Sequence, residues 1–456
     1  MPIDPALLSR IQNDAVRRLT PTRRTATNLH VIDDVVRARA DIMAHRQRIT
    51  VDRDTAVVFA DDEPMANWAH ECRYMLYDVR TGARYREVSA RFPPFLVEAP
   101  PQFRAFHTPV VLDRPNPALH PLPRLPRFPL RVRDGKRYAV LYSGASNYRH
   151  VNDLEFLWRT LVDEYGFAPA DIQVLNYDGA VKWSGAPAVA AATWPGDSTA
   201  YRMKVTGPGT RAAFEAALGS LATKLKAPDA LLIHVNNHGG HDGTSSYICA
   251  HSGPDYTAPD FTARLATLPA YRDLMVVMEQ CHSGGFNDLV VEKSTAEKTT
   301  FAAAATEHRS SIGGAHFDPF ARDWIAAMAR NDAYGGALGS SPDTSGEGKV
   351  SSLEAFHFAD AMHHTYDTPV YCDRGDDADS QCLAQRWRYL WVVRDVVLRE
   401  IERFRAERHL SDAAWLELEQ RVVAPALTRL DDEDLSRVSR ADLEARALAS
   451  LRAALR

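Results

Sequence analysis

Between about residues 136 and 330 the chain alternates short apolar runs with longer amphipathic segments. The apolar runs have the length and composition of buried strands, and the amphipathic segments repeat their apolar residues with a helical period. Strands are predicted at 137–144, 171–179, 229–240, 273–285 and 301–305, and helices at 150–165, 210–226, 260–267 and 319–330. Strands joined by helices form right-handed crossovers. The pattern therefore predicts an α/β fold, with a mostly parallel sheet and helices on both faces.

The flanking segments differ in composition from this alternation. The Arg-rich start, residues 1–48, has a weak helical pattern, and β-type runs follow it. Eleven of the 27 prolines lie in 91–131, where they favour an extended backbone. The predicted divisions are an N-terminal helical and β module (1–90), a Pro-rich strap or linker (91–135), the α/β domain (136–375) and a helical C-terminal extension (376–456).

Composition and charge exclude several classes of protein. The 456 residues carry a formal net charge of −5, which provides no basic field for nucleic acid, and no apolar run is long enough for a membrane span. The five cysteines are odd in number and too few for a disulfide scaffold, so at least one thiol should be free. We expect a cytoplasmic protein. A zinc site at Cys372 and Cys382 would need remote ligands and is not favoured.

Two of the predicted strands end in potentially reactive side chains. One strand is followed by His238-Gly239, and the next by Cys281-His282-Ser283-Gly284. Because the carboxyl ends of parallel strands meet at one edge of a sheet, the thiol and an imidazole are expected to lie together there. The backbone amides of Gly239 and Cys281 are candidate donors to an oxyanion. His282 is a competing base, but a sequence neighbour at a sharp turn normally points away from the thiol.

These motifs resemble the caspase-fold cysteine peptidases of clan CD. A third motif, Asn147-Tyr148-Arg149-His150 after the first strand, is similar to the corresponding segment of the legumain-like C13 branch and of the GPI-anchor transamidase. The resemblance covers about residues 136–375. It implies a caspase-like domain and a cysteine endopeptidase that acts on protein or peptide substrates.

Carried over residue by residue, the resemblance implies a role for each matching position. Cys281 would be the nucleophile, His238 its general acid and base, and Asn147 the residue that orients His238. The S1 pocket would be lined by Arg149, His150 and Glu279, with Ser310 or Ser311 at the edge that docks the substrate backbone, and Asp318 or Asp323 as a further acid.

The sequence also departs from the legumain pattern, so the P1 preference stays open. Asn237 replaces the Asp that precedes the histidine in legumains, and His282 replaces the Glu that follows the cysteine. A pocket dominated by acids would suit P1 Arg or Lys, which we favour slightly, whereas a pocket that also uses Arg149 would suit Asn. A transamidase-type acyl transferase and a regulatory interaction protein remain alternatives. The terminal regions are candidates for a regulatory partner, and loop 291–300 for processing of a zymogen.

Residues 343–354 have the register of an EF-hand calcium loop. The candidate ligands are Asp343, Ser345, Glu347, Lys349 through its carbonyl, Ser351 and Glu354. The alternative is a capping box, in which Ser351 and Glu354 open the following helix. No cofactor is required by the predicted reaction, so Ca²⁺ would be structural or regulatory, and sensitivity to EGTA would test it.

Overall fold

The computed structural model describes eleven segments of the chain. They are residues 1–44, 47–66, 70–94, 103–110, 135–184, 193–345, 349–362, 367–376, 378–383, 394–408 and 440–455. Most of the predicted strap and much of the C-terminal extension lie outside these residues. Within them no helix is both long and apolar enough to cross a membrane.

The central domain is built on a six-stranded sheet. Its strands are β8 (Arg137–Ser143), β9 (Ile172–Asn176), β10 (Ala230–Val235), β14 (Tyr271–Met278), β15 (Ala296–Ala303) and β16 (Val370–Arg374). They lie in the order β16-β15-β14-β10-β8-β9, and all pairs are parallel except β15 with β16. The chain passes from β8 to β9 on one side and then to β10 on the other. The strand order therefore reverses beside β8, where α/β sheets bind their ligands.

Helices cover both faces of this sheet, which confirms the predicted α/β class. One face packs against α3 (Tyr148–Arg159), α7 (Pro319–Ala329) and α8 (Ser352–Ala361), and the other against α4 (Arg211–Ala222), α5 (Ala258–Leu265) and α6 (Asn287–Lys293). Fully buried Trp324 and Phe301 belong to these two cores. Truncation of such aromatic side chains typically costs about 3–5 kcal/mol, so the strand ends rest on a rigid base.

The N-terminal module contains a separate antiparallel sheet. Its strands are β1 (Asn28–Ile32), β4 (Thr55–Asp61), β5 (Cys72–Asp78), β6 (Arg84–Ala90) and β7 (Phe103–His107), in the order β6-β5-β4-β1-β7. The helix α1 (Pro5–Arg18) packs on one face, and the hairpin of β2 (Asp41–Ala44) and β3 (Gln47–Thr50) packs on the other. A short helix, α2 (Pro21–Arg24), precedes β1.

The N-terminal region differs from the sequence prediction in two places. Within the segment 1–48, where a weak apolar stripe favoured helices, residues 28–32 and 41–44 form strands, because β1 pairs with the better-defined β4 and β2 pairs with β3. Residues 103–107, which fell in the predicted strap, form the edge strand β7, and their bonds go to β1. In both places pairing with a remote strand outweighs the local pattern.

The predicted processing loop at 291–300 is also different in the structure. It comprises the end of α6, a short connection at Ser294, and the first half of β15. Lys298 pairs with Asp273 in the sheet, and the hydroxyl of Thr299 donates a hydrogen bond to that of Ser294 at 2.8 Å. Cleavage there would require local unfolding.

The remaining elements complete the domain and the described part of the C-terminus. A small sheet of β11 (Gly239–His241), β12 (Ser246–Ile248) and β13 (Tyr256–Thr257) follows β10. The last described helices, α9 (Arg394–Arg408) and α10 (Arg440–Ala454), contact each other, and Arg452 pairs with Glu400 at 2.7 Å. These helices agree with the helical extension predicted from the sequence.

Candidate active site

Three neighbouring strand ends carry the predicted catalytic residues. In the sheet register Val235 of β10 lies opposite Met278 of β14, and His238 and Cys281 each come three residues later. On the other side of β10, Tyr142 of β8 pairs with Val235, and Asn147 follows at the start of α3. Parallel strands are about 4.8 Å apart, so the register delivers all three side chains to one short stretch of the sheet edge.

The predicted contact between Asn147 and His238 is present. Asn147 is the N-cap of α3, where its Oδ1 accepts the N–H of His150 at 3.2 Å. Its Nδ2 therefore faces the other way and lies 3.3 Å from Nε2 of His238. An amide N–H can only donate, so Nε2 accepts this bond and a neutral His238 carries its proton on Nδ1.

The ring of His150 contacts both Asn147 and His238. It packs edge-on against His238 with ring centroids 4.8 Å apart, and its Nδ1 accepts the N–H of Asn147 at 3.3 Å. Burial, together with the nearby His238 and Arg149, lowers the pKa of His150 well below its ordinary value. A neutral ring that accepts at Nδ1 holds its proton on Nε2, which lies 3.3 Å from Oδ2 of Asp318.

Cys281 lies beside the segment that enters from β15. Its Sγ is 3.9 Å from Oγ of Ser311, and the thiol is buried. The next residue, His282, has the left-handed φ of 62°, which gives the sharp turn expected from the sequence. Its Nδ1 lies 2.7 Å from the carbonyl of Glu307. The ring of His282 thus binds the 307–309 loop, whereas the ring of His238 has the contact with Asn147 that is expected of the base.

The glycine and the asparagine that flank His238 have structural reasons for their identity. A Cβ on Gly239 would lie 2.6 Å from the carbonyl oxygen of Cys281, so only glycine allows the two strand ends to approach this closely. The amide of Asn237 donates to the carbonyl of Cys249 at 2.6 Å and to that of His238 at 2.8 Å. The side chain at position 237 must therefore donate hydrogen bonds, which an ionised Asp could not do.

An ion pair forms the centre of the predicted S1 pocket. Nε of Arg149 lies 2.5 Å from Oδ1 of Asp318, which is the N-cap residue of α7. Glu279 accepts the N–H of Ala321 in the first turn of the same helix at 2.7 Å. The pocket therefore combines one guanidinium, one imidazole and two carboxyl groups, and Asp318 is the additional acid that the sequence left undecided.

Two predicted pocket residues lie elsewhere. Asp323 forms a two-point pair with the adjacent Arg322 at 2.8 and 2.9 Å, and it lines a separate cavity of about 310 Å³ with residues of α8. Ser310 faces a different cavity that it shares with His282, so Ser311 is the serine near the nucleophile. The helical turn between Asp318 and Asp323 sends the two acids in different directions.

Sequence reasoning missed three residues at this site. Asp367 accepts the N–H of Ile312 at 2.7 Å, and Asp153 accepts from Asn236 at 2.8 Å and from the N–H of Asp318 at 2.9 Å. A Cβ on Gly313 would lie 2.9 Å from the guanidinium of Arg149. Asp367 comes from a remote segment with no local motif, whereas the Gly313-Gly314 pair was a visible signal of close backbone approach.

Comparison with known proteins gives a family match for the central domain. Residues 137–331 match the model of the peptidase C13 family. We call the domain that carries this match the C13 domain. No curated protein matches the chain. Among solved structures, the chain is similar to protein GSU0716 from Geobacter sulfurreducens, with 15% identity and a TM-score of 0.37 over 55% of this chain and 99% of that one.

Four buried carboxyl groups surround the S1 pocket of this C13 domain. Burial raises the pKa of Glu279 and of Asp153 well above the ordinary values, and neighbouring acids add to the effect. Burial also raises the pKa of Asp318 to about 6, although Arg149 opposes this, and that of Asp367 to about 8. The raised pKa of Glu279 favours its neutral form, and the charge of Asp318 is matched by Arg149.

We expect this acid cluster to make the folded protein less stable as the pH rises from 4 to 8. The pKa of Asp367 is raised to about 8 by burial, so its stabilising contribution is complete below pH ~4 and is lost as the pH rises through about 8. One such group changes the free energy of unfolding by up to ~1.4 kcal/mol per pH unit. Thermal unfolding at pH 5 and pH 8 measures the difference.

Asp367→Asn is the matched control, because an amide oxygen can still accept the N–H of Ile312. The variant should lose less stability than wild type between pH 5 and pH 8. An identical pH dependence of the unfolding midpoint in both proteins would show that Asp367 does not titrate in this range.

The described part of the predicted calcium loop favours its capping alternative. Glu354 accepts the N–H groups of Ser345 and Ser351 at 2.8 and 2.9 Å, and Ser351 caps α8 in return. Asp343 lies 3.2 Å from Arg330. Glu347 is outside the described residues, and among the described ones no group of three or more His, Cys, Asp or Glu is placed to hold a metal ion. The calcium site therefore stays a prediction.

Proposed function

We propose that the chain is a cysteine endopeptidase that cleaves after Asn through a thioester on Cys281. The observation that carries the proposal is the register of β8, β10 and β14, which aligns Asn147, His238 and Cys281 at one sheet edge, with the 3.3 Å contact between Asn147 and His238. The C13 family match over this domain supports a cysteine peptidase. The P1 preference rests on the pocket charges.

The proposed reaction moves each proton through His238. The thiol of Cys281 transfers its proton to the imidazole of His238 as Sγ attacks the P1 carbonyl, the Sγ–C bond forms, and backbone amides at Gly239 and Cys281 stabilise the oxyanion. The amide C–N bond then breaks, and the imidazolium of His238 protonates the departing amine and becomes neutral again. Water attacks the thioester and gives a proton to His238, the C–Sγ bond breaks, and that proton passes to Cys281, which restores the thiol.

The balance of charge in the S1 pocket favours Asn over a basic P1 residue. Asp318 is already paired with Arg149 at 2.5 Å, and burial raises the pKa of Glu279, which favours the neutral form of that group. A P1 Arg or Lys would place a second cation beside Arg149 without a free negative charge. The side-chain amide of Asn can instead accept from Arg149 and donate to a carboxyl oxygen.

Peptides that differ only at P1 should separate these preferences. With Asn, Asp, Arg, Lys and Ala at P1, we expect kcat/KM to be about 10²-fold higher for Asn than for Arg or Lys, because a basic residue leaves buried polar groups unmatched. In Arg149→Ala, the unpaired Asp318 should shift the preference toward Lys. A wild-type preference for Arg or Lys would contradict the charge argument and support the basic P1 favoured from sequence.

The same assay separates hydrolysis from acyl transfer. A transamidase-type enzyme delivers its thioester to an amine, so an added amine nucleophile would appear in the product. We expect the free carboxylic acid as the main product, with a mass that is unchanged when the amine is added.

A further inference from the structure

The N-terminal module reaches across to the edge of the C13 domain. After β4 the chain turns at Glu63, whose carbonyl accepts the N–H of Ala66 at 2.8 Å. The carbonyl of Met65 accepts the N–H of Gly313 at 2.6 Å, and Ala66 forms an antiparallel bridge with Ile312. Residues 65–66 of the module thus form one antiparallel β-bridge with residues 312–313, at the end of this turn. We call residues 63–66 the docking segment.

The edge that receives the docking segment lies next to the nucleophile. Ser311, one residue before Ile312, has its Oγ 3.9 Å from Sγ of Cys281. The N–H of Ile312 points inward to Asp367, and the N–H of Gly313 points to Met65. Successive N–H groups of an extended chain face opposite sides, so the N–H of Gly313 is the donor that this edge offers to a peptide in the cleft.

A second contact from the module lies on the other side of the site. Phe92 packs against Tyr247 and Cys249, which belong to the small sheet that begins directly after His238. Between these two contacts lies a cavity of about 570 Å³, lined by Glu63 and Arg91 of the module and by His282 and Ser310 of the C13 domain. The module therefore contacts the domain at both the cysteine side and the histidine side.

The reactive groups are closed off in this arrangement. Cys281 and His238 are both 0% exposed, although a peptidase must bring a peptide carbonyl to the thiol. A strand bound at residues 311–313 cannot share the N–H of Gly313 with the docking segment. A substrate must therefore displace the segment before it can occupy the same edge.

We propose that the docking segment occupies the place of a substrate strand and holds the enzyme in a latent form until the N-terminal module is displaced. The inference rests on the proposed peptidase function. A tethered competitor acts at an effective concentration on the order of mM, so it outcompetes a substrate present at µM levels even when its own pairing is weak.

Labelling of Cys281 by a peptidyl electrophile with P1 Asn tests the proposal in the full-length chain. Met65→Asp places a carboxylate on the residue whose carbonyl accepts the N–H of Gly313, and the neighbouring Ile312 is already bound to the buried acid Asp367, so the variant should weaken docking. Ala66→Pro, a second variant, removes the N–H that donates to Glu63. We expect labelling at least 10-fold faster than in wild type for both variants. Met43→Asp, at an exposed position of the module hairpin, is the matched control and should label at the wild-type rate.

The outcomes distinguish failure of the inference from failure of the proposed function. Equal, measurable labelling in wild type, Met65→Asp and Ala66→Pro would show that the docking segment does not restrain the site. If no variant is labelled at Cys281 and none cleaves a peptide, the peptidase assignment itself fails, and the inference fails with it. Circular dichroism and the unfolding midpoint identify a variant that does not fold, in which case the other variant decides.

Discussion

Cys281→Ala should abolish peptide cleavage and covalent labelling while the protein remains folded. The side chain follows β14 in a register that places it beside the histidine strand, and nucleophilic catalysis has no substitute once Sγ is removed. We expect kcat/KM to fall by at least ~10³-fold, because the remaining groups supply only substrate binding and oxyanion stabilisation. The loss of one buried sulfur should leave the unfolding midpoint within a few degrees of wild type, since removing one small buried group costs on the order of 1 kcal/mol.

Cys72→Ala is a matched control for this substitution. Cys72 is also a buried free thiol, but it lies in β5 of the N-terminal module, where burial raises its pKa far above the ordinary value. It should be inert toward the electrophile, and the variant should cleave and label as wild type does. Activity that survives Cys281→Ala, or that disappears with Cys72→Ala, would contradict the assignment of the nucleophile.

The sequence was sufficient for the central sheet because its strands are long, apolar and separated by regular helices. Five of the six strands were predicted with their approximate limits, and the parallel order follows from the crossovers. The strand β16 was missed because its residues are polar and only partly buried, and because it runs antiparallel to its neighbour. Its pairing with β15 depends on a remote part of the chain, which local periodicity does not report.

The site was predictable to the extent that it follows strand ends. Strand order and spacing anticipated that His238 and Cys281 lie together, whereas the contact of Asn147 with His238 was expected only from the family resemblance. The acids of the pocket could not be ranked in the same way. Asp318 and Asp323 flank one turn of α7, and only the direction of that helix decides which of them meets Arg149.

The access of substrate was not visible in the sequence at all. The contact of Met65 with Gly313 joins the N-terminal module to a segment nearly 250 residues later, and the Gly313-Gly314 pair signals close backbone approach without naming its partner. Such a contact depends on how two separately folded units lie against each other. The sequence placed the restraint of a zymogen at loop 291–300, whereas our proposal places it at the docking segment.

His238→Ala should reduce the rate of amide hydrolysis by about 10²–10⁴-fold, the usual contribution of a positioned general acid and base. The contact with Asn147 holds the imidazole of His238 in the orientation from which it can protonate the departing amine. An ester of the same peptide has a leaving group that needs little protonation. Ester hydrolysis should therefore decline much less than amide hydrolysis in this variant. A merely structural role for His238 would reduce both rates equally.

His282→Asn is the matched control, since Asn tolerates the left-handed backbone that His282 adopts. In wild type the ring of His282 bonds to the carbonyl of Glu307. A residue that holds a neighbouring loop does not exchange protons with substrate, so we expect amide hydrolysis by the variant to stay within about 10-fold of wild type. Steady-state kinetics on paired amide and ester substrates measure both variants. If His282→Asn loses amide hydrolysis selectively and His238→Ala does not, the base is His282, and the bracing of His238 by Asn147 serves the fold alone.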